Sequence, residues 1–152
     1  MKPGNLIEHP EGGRYQEVYR SKSMVTNFQG DYRSALTHIY FSLSPGEISG
    51  FHKVESDEIW NLYEGGDLKL YLWNNEQKSV ETPVLSQSER NYCHVVPAGT
   101  WQAAEPMNEP VLVGCSVGPG FEFEDFVMMK NGEPEADKLM DHFPDLAKFI
   151  KG

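Results

Sequence analysis

Within GEISGFHKVESDEIWNLYEGG, residues Gly46 to Gly66, a histidine and a glutamate (His52 and Glu58) stand six positions apart among alternating apolar residues. An imidazole titrates near neutrality and ligates metals; a carboxylate accepts protons and binds the same ions. Such a pair can hold a divalent metal, exchange protons with a substrate, or satisfy itself in a core. A carboxylate among Trp60 and Leu62 is costly to bury unless it is paired or bound. Its natural partner is His52, across the short VESD connection.

The choice depends on the elements that carry the pair. Successive side chains of a strand face opposite ways. An extended GFHKVE puts His52 and Val54 on one face and Lys53 on the other, and an extended EIWNLY groups Glu58, Trp60 and Leu62. Strand signals dominate elsewhere too: YQEVYRS, THIYFSL, DLKLYLWN, NYCHVVPAG and EPVLVGCSVGPG are short, rich in β-branched and aromatic residues, and closed by Gly, Pro, Asn or Asp. DLKLYLWN has Leu68, Leu70 and Leu72 on one face and Lys69, Tyr71 and Trp73 on the other. GFEFEDF reads as a further strand, with Phe121, Phe123 and Asp125 on one face, and HPEGGRY as a loop entering the first strand. These runs, with no helical pattern between them, predict an antiparallel sandwich or barrel over about residues 14–128. Pro134 and its acidic neighbours then open a helical segment over about 134–151, with Leu139, Met140, Phe143, Leu146, Phe149 and Ile150 at helical spacing and a break expected at Pro144. The expectation is a single domain over 1–152.

Composition narrows the partners. Thirteen basic against 23 acidic residues give a net charge of −10, which repels phosphate backbones and anionic lipid, so neither nucleic acid nor membrane is an expected partner. No apolar run approaches the roughly 20 residues of a membrane span. The two cysteines, Cys93 and Cys115, lack CxxC spacing and read as reduced thiols of a cytoplasmic protein. Phosphate-cradling glycine loops, nucleophile elbows and HExxH are missing.

The chain resembles the cupin superfamily. The first cupin motif sets a glycine, two alternate histidines, a glutamate and a closing glycine in order; here these positions hold Gly46, His52, Val54, Glu58 and Gly65. The second motif is matched by Pro97 and Gly99, with Gln102 at its histidine position and Asn91 and Pro106 replacing its terminal residues. From EHPEGGRYQEVYRS through FHKVESDEIW and VVPAGTWQAAEP to FPDLAKFI the chain is similar to one subgroup, Cupin_5, except at Asn61, where a histidine is expected in many members. The resemblance implies an all-β double-stranded β-helix, the cupin jelly roll, with a short C-terminal helical segment, and a homodimer.

It also implies a pocket inside the barrel. Cupin metal sites use three histidines and a glutamate; this chain offers His52, Glu58 and the weak amide ligand Gln102, an incomplete set that would hold Ni, Zn, Fe or Mn loosely. Without metal, His52 and Glu58 are candidates for proton chemistry of the isomerase, epimerase or lyase type, with His52 as base and a tyrosine among Tyr40, Tyr63, Tyr71 and Tyr92 as acid. The leading expectation is binding of a small molecule between Trp60 and Trp101 as walls, with Tyr63 and Gln102 completing the contacts. A cupin scaffold without ligand is the third.

Overall fold

The computed structural model describes residues 4–152, so the first three residues of the domain expected over 1–152 lie outside the described part. Thirteen strands follow in chain order: β1 (Ile7–Glu8), β2 (Arg14–Arg20), β3 (Met24–Thr26), β4 (Tyr32–Ser34), β5 (Thr37–Leu43), β6 (Ser49–Val54) and β7 (Asp57–Gly65). Then come β8 (Leu68–Trp73), β9 (Val84–Leu85), β10 (Cys93–Val96), β11 (Trp101–Pro106), β12 (Val111–Gly118) and β13 (Phe126–Met128). Helix α1 (Pro134–His142) and a 3₁₀ segment, Pro144–Phe149, close the chain.

Two antiparallel sheets face each other, in the orders β1-β2-β5-β12-β7-β10 and β13-β6-β11-β8-β9, and β3 and β4 form a separate ribbon. Alternation along the strands sorts their side chains into two apolar clusters. Trp60 and Leu62 of β7, Leu68, Leu70 and Leu72 of β8, and Phe41 and Leu43 of β5 point between the sheets and form the interior core. Tyr71, Trp73, Trp101 and Ala103 point outward from the five-stranded sheet and are covered by Ala136, Leu139, Phe149 and Ile150 of the C-terminal segment. That segment breaks at Phe143, because the residue before a proline is pushed out of helical geometry. No helix among the described residues is long and apolar enough to cross a membrane.

One expected strand is different. Phe121–Asp125 does not extend: Phe123–Asp125 is a 3₁₀ turn and only Phe126–Met128 pairs, with β6. The alternation of GFEFEDF resembles a strand, but Phe121, Phe123 and Phe126 pack against one another, with ring centroids 5.0–5.9 Å apart. Edge-to-face packing of three rings, together with two ion pairs described below, outweighs sheet pairing here.

Candidate functional site

Between the two sheets, next to the apolar core, lies a cavity of about 200 Å³. Its lining includes His52 from β6, Glu58 from β7, Cys115 from β12, Ile39 from β5 and Tyr15 from β2. Phe121, Phe123 and Phe126 form one wall. His9 and Glu11 reach it from the β1–β2 connection. Gly12 and Gly13, with φ of 112° and 72°, turn that connection so tightly that a Cβ on Gly12 would strike the Ile48 carbonyl oxygen. The Gly50 N–H donates to the Glu11 carbonyl at 2.7 Å, which fixes the loop against β6.

The hydrogen bonds define where the protons sit. His52 is 2 % exposed, and its Nδ1–H donates to the Gly50 carbonyl at 2.8 Å, leaving the Nε2 lone pair 3.3 Å from Glu11 Oε1. His9 Nδ1 accepts the Glu11 backbone N–H at 3.1 Å and lies 3.4 Å from the same carboxyl oxygen. The His52 Nε2 lone pair therefore faces Glu11 Oε1, with the engaged His9 Nδ1 beside it, while the Ser49 hydroxyl donates to Oε2. This is the arrangement of a protonated carboxyl that donates to His52. Electrostatics agree: burial pushes Glu11 up to about 8, against a lesser pull from the Ser49 hydrogen bond. Burial lowers His9 to about 3, helped by neighbouring His52, and lowers His52 despite the opposing pull of Glu58 and the Gly50 carbonyl.

Glu58 belongs to a second chain of bonds. Trp60 Nε1–H donates to Gln102 Oε1 at 2.7 Å, and Gln102 Nε2–H donates to Glu58 Oε1 at 2.9 Å. Burial raises Glu58 to about 7, opposed by His52 and reinforced by Glu11, with hydrogen bonds from Gln102 and Cys115 favouring its charged form. At the mouth, Arg20 donates to Glu17 at 2.7 and 3.2 Å and to Glu122 at 2.7 Å. Arg33 grips Asp125 through two bonds of 2.8 and 2.9 Å. The aromatic wall is thus tied down at both ends.

Several expected site residues stand elsewhere. His52 and Glu58 line one cavity, yet the carboxyl in contact with His52 is Glu11, because Glu58 turns toward Gln102. Trp60 is a core residue whose indole holds Gln102, and Gln102 lies behind Glu58, outside the lining. Trp101 neighbours Gln102 in sequence, so strand parity sends it to the opposite face, beneath the C-terminal segment and the Lys53 ammonium. Tyr63 alternates outward from Leu62; its hydroxyl bonds His38 Nε2 at 2.7 Å, and its ring lies over Gly114. Tyr40, Tyr71 and Tyr92 are likewise absent from the lining, where the tyrosine is Tyr15, 4.7 Å from the His9 ring. Sequence reading took the stretch of His9 and Glu11 as a plain loop entering the first strand, and it missed Tyr15 and the three phenylalanines as lining. The signal for the first two is a histidine and glutamate two apart against a twin glycine, a composition that folds back on itself.

These donors do not fit the divalent metal the resemblance implies. Val54 offers no ligand atom, Gln102 Oε1 is engaged by the Trp60 N–H, and His52 Nε2 meets the Glu11 carboxyl at hydrogen-bond distance. Among the described residues no three His, Cys, Asp or Glu side chains converge in metal-binding geometry.

Two facing antiparallel sheets that enclose a polar cavity define a jelly roll of the cupin type. The chain belongs to the Cupin_5 family of the cupin superfamily (DUF985), whose model matches residues 1–129. It is 31 % identical over 152 residues to the uncharacterized protein YML079W of Saccharomyces cerevisiae, covering 89 % of this chain and 75 % of that one. A hypothetical protein from Leishmania major has a similar structure, with a TM-score of 0.82 and 26 % identity over 97 % of this chain and 94 % of its own. Protein SO0799 from Shewanella oneidensis follows at a TM-score of 0.79 and 28 % identity, over 97 % of this chain and 91 % of its own.

Proposed function

We propose that the barrel cavity binds a small organic molecule, held by Glu11, His52 and Glu58 against the aromatic wall. The observation that carries this reading is the convergence of two buried carboxyls and two imidazoles on one hollow beside Phe121, Phe123 and Phe126. Buried ionisable groups are costly, and a pocket that concentrates them among apolar rings is the usual form of a ligand site. The test is a thermal-shift screen of a metabolite library. Hits should stabilise the wild type and lose their effect in His52→Ala or Glu58→Gln, and a screen without hits counts against binding.

A second reading is proton transfer of the isomerase, epimerase or lyase type. Its support is specific: His52 Nε2 lies 3.3 Å from Glu11 Oε1 beside the cavity, and Tyr15 supplies a hydroxyl-bearing ring at the same wall. In this reading Glu11 reacts in its ionised form, which frees His52 Nε2 to take the substrate proton; the carboxylate stabilises the imidazolium that forms, and Tyr15, as the acid, returns a proton to the substrate. Solvent deuterium should then enter a bound ligand, at a rate that His52→Ala lowers about 10²-fold or more; binding without exchange removes this reading.

We also propose that two copies pair through the outer face of the six-stranded sheet, where Ile59, Tyr63 and Val95 leave apolar surface exposed. Sedimentation equilibrium should give twice the 17.2 kDa chain mass, and Ile59→Lys should return it to monomer.

A further inference from the structure

The balance of charge in the cavity identifies the class of ligand. Four carboxyl groups line it: Glu11 and Glu58 inside, Glu17 and Glu122 at the mouth. Among the described residues the only Lys or Arg in the lining is Arg20, whose guanidinium is already engaged by both mouth glutamates and by the Phe121 carbonyl. His9 offers no positive charge, since its Nδ1 is occupied as an acceptor and burial holds the ring neutral. With Glu11 protonated and the mouth glutamates paired to Arg20, an anionic ligand would meet Glu58 with no free cation to offset it. Apart from Thr37 and the histidines, the rest of the lining is apolar or aromatic: Ile39, Val54 and Val117 join Tyr15, Phe121, Phe123 and Phe126.

From this combination we infer that the cavity takes a small organic cation, a primary or quaternary ammonium compound, with its positive centre between Glu58 and the phenylalanine wall. The inference rests on the small-molecule reading above and adds the charge of the molecule. Each part of the lining acts in the same direction. Aromatic faces attract a desolvated cation and give a carboxylate nothing. Glu58 has one oxygen tied to Gln102, so its carboxyl is oriented before any ligand arrives. Arg20 is held at the mouth by Glu17 and Glu122, so its guanidinium is not free to pair with an anionic ligand. A volume of about 200 Å³ admits a compound of choline size and leaves out extended chains. Metal ions fit poorly, because among the described residues no three His, Cys, Asp or Glu side chains converge to coordinate one.

The experiment is isothermal titration of the full-length protein with matched probes. Choline is set against its uncharged isostere 3,3-dimethylbutan-1-ol and the anion 3,3-dimethylbutanoate; n-butylammonium is set against 1-butanol and butanoate. At least one cation should bind about tenfold or more tightly than its neutral partner, with no detectable heat from either anion. Glu58→Gln should abolish that preference, so that the cation binds no more tightly than its neutral partner. Phe123→Leu, at a half-exposed position where folding is not at stake, should weaken the cation more than its neutral partner. Equal or tighter binding of an alcohol or anion overturns the inference yet leaves a small-molecule site. If none of the six probes binds while library hits still require His52, the cation is again excluded and the site stands. No hit of any kind removes both.

Discussion

At the scale of single residues the distinctive feature is a protonated glutamate. Glu11 is held by Ser49, His9 and His52, and its carboxyl stays neutral up to about 8, far above an ordinary 4.5. Linkage gives the sign. Between those two values the folded protein holds a proton that the unfolded chain has lost, so this residue makes stability fall as pH rises from about 4.5 to about 8. His9 acts oppositely, because its depressed value makes the unfolded chain the better proton binder, and stability falls as pH drops from 6.5 toward about 3. Urea denaturation at pH 5 and pH 9 should show Glu11→Gln losing less stability across that interval than the wild type, by a few kcal/mol. An identical pH profile in the two would mean that Glu11 is ionised throughout. A second residue prediction concerns Trp60. Trp60→Phe leaves Gln102 Oε1 buried without its 2.7 Å donor, a loss of about 1–3 kcal/mol in folding free energy that chemical denaturation would measure. It should also weaken ligand binding, since Gln102 then ceases to orient Glu58.

At the scale of elements, the site is built from two strands that the sequence announces and two irregular segments that it does not. His52 and Glu58 were legible because alternation puts them on the inner faces of adjacent strands whatever the rest of the chain does. Gln102 was legible as their neighbour, since it pairs with His52 across β6 and β11. Trp101 was misjudged because it stands next to Gln102 on one strand, and successive side chains of a strand face opposite ways, so the two could not share the hollow. His9 and Glu11 depend on a long-range bond from Gly50 to a loop, and the phenylalanine wall depends on Arg20 and Arg33 reaching about a hundred positions along the chain. Local pattern carries no information about either. The loop gives a direct test: Gly12→Ala combines positive φ with a clash against the Ile48 carbonyl and should lower stability by more than about 2 kcal/mol. If thermal melting is unchanged, the loop is not fixed against β6 as described.

At the scale of the whole molecule, two cores serve separate purposes. The interior core fills the barrel beside the cavity and stiffens its floor through Trp60 and Cys115. The outer core, where Leu139 and Phe149 cover Trp73 and Trp101, seals the back of the five-stranded sheet. Leu139 is fully buried, so Leu139→Ala should destabilise by about 2–5 kcal/mol while ligand affinity at low temperature stays within about twofold. A large loss of affinity in that variant would show that the two cores are coupled. An antiparallel sandwich or barrel was plain from short, alternating, turn-bounded runs; the jelly roll came only with the cupin resemblance, carried by motifs on the two strands that meet at the cavity.

The central claim, that Glu11, His52 and Glu58 face a ligand pocket inside the barrel, is tested most directly by crystallographic screening of small fragments. The account predicts bound density between the Phe126 ring and the Glu58 carboxyl, contacting His52. Fragments found only on outer surfaces, with water alone between those groups, would contradict it.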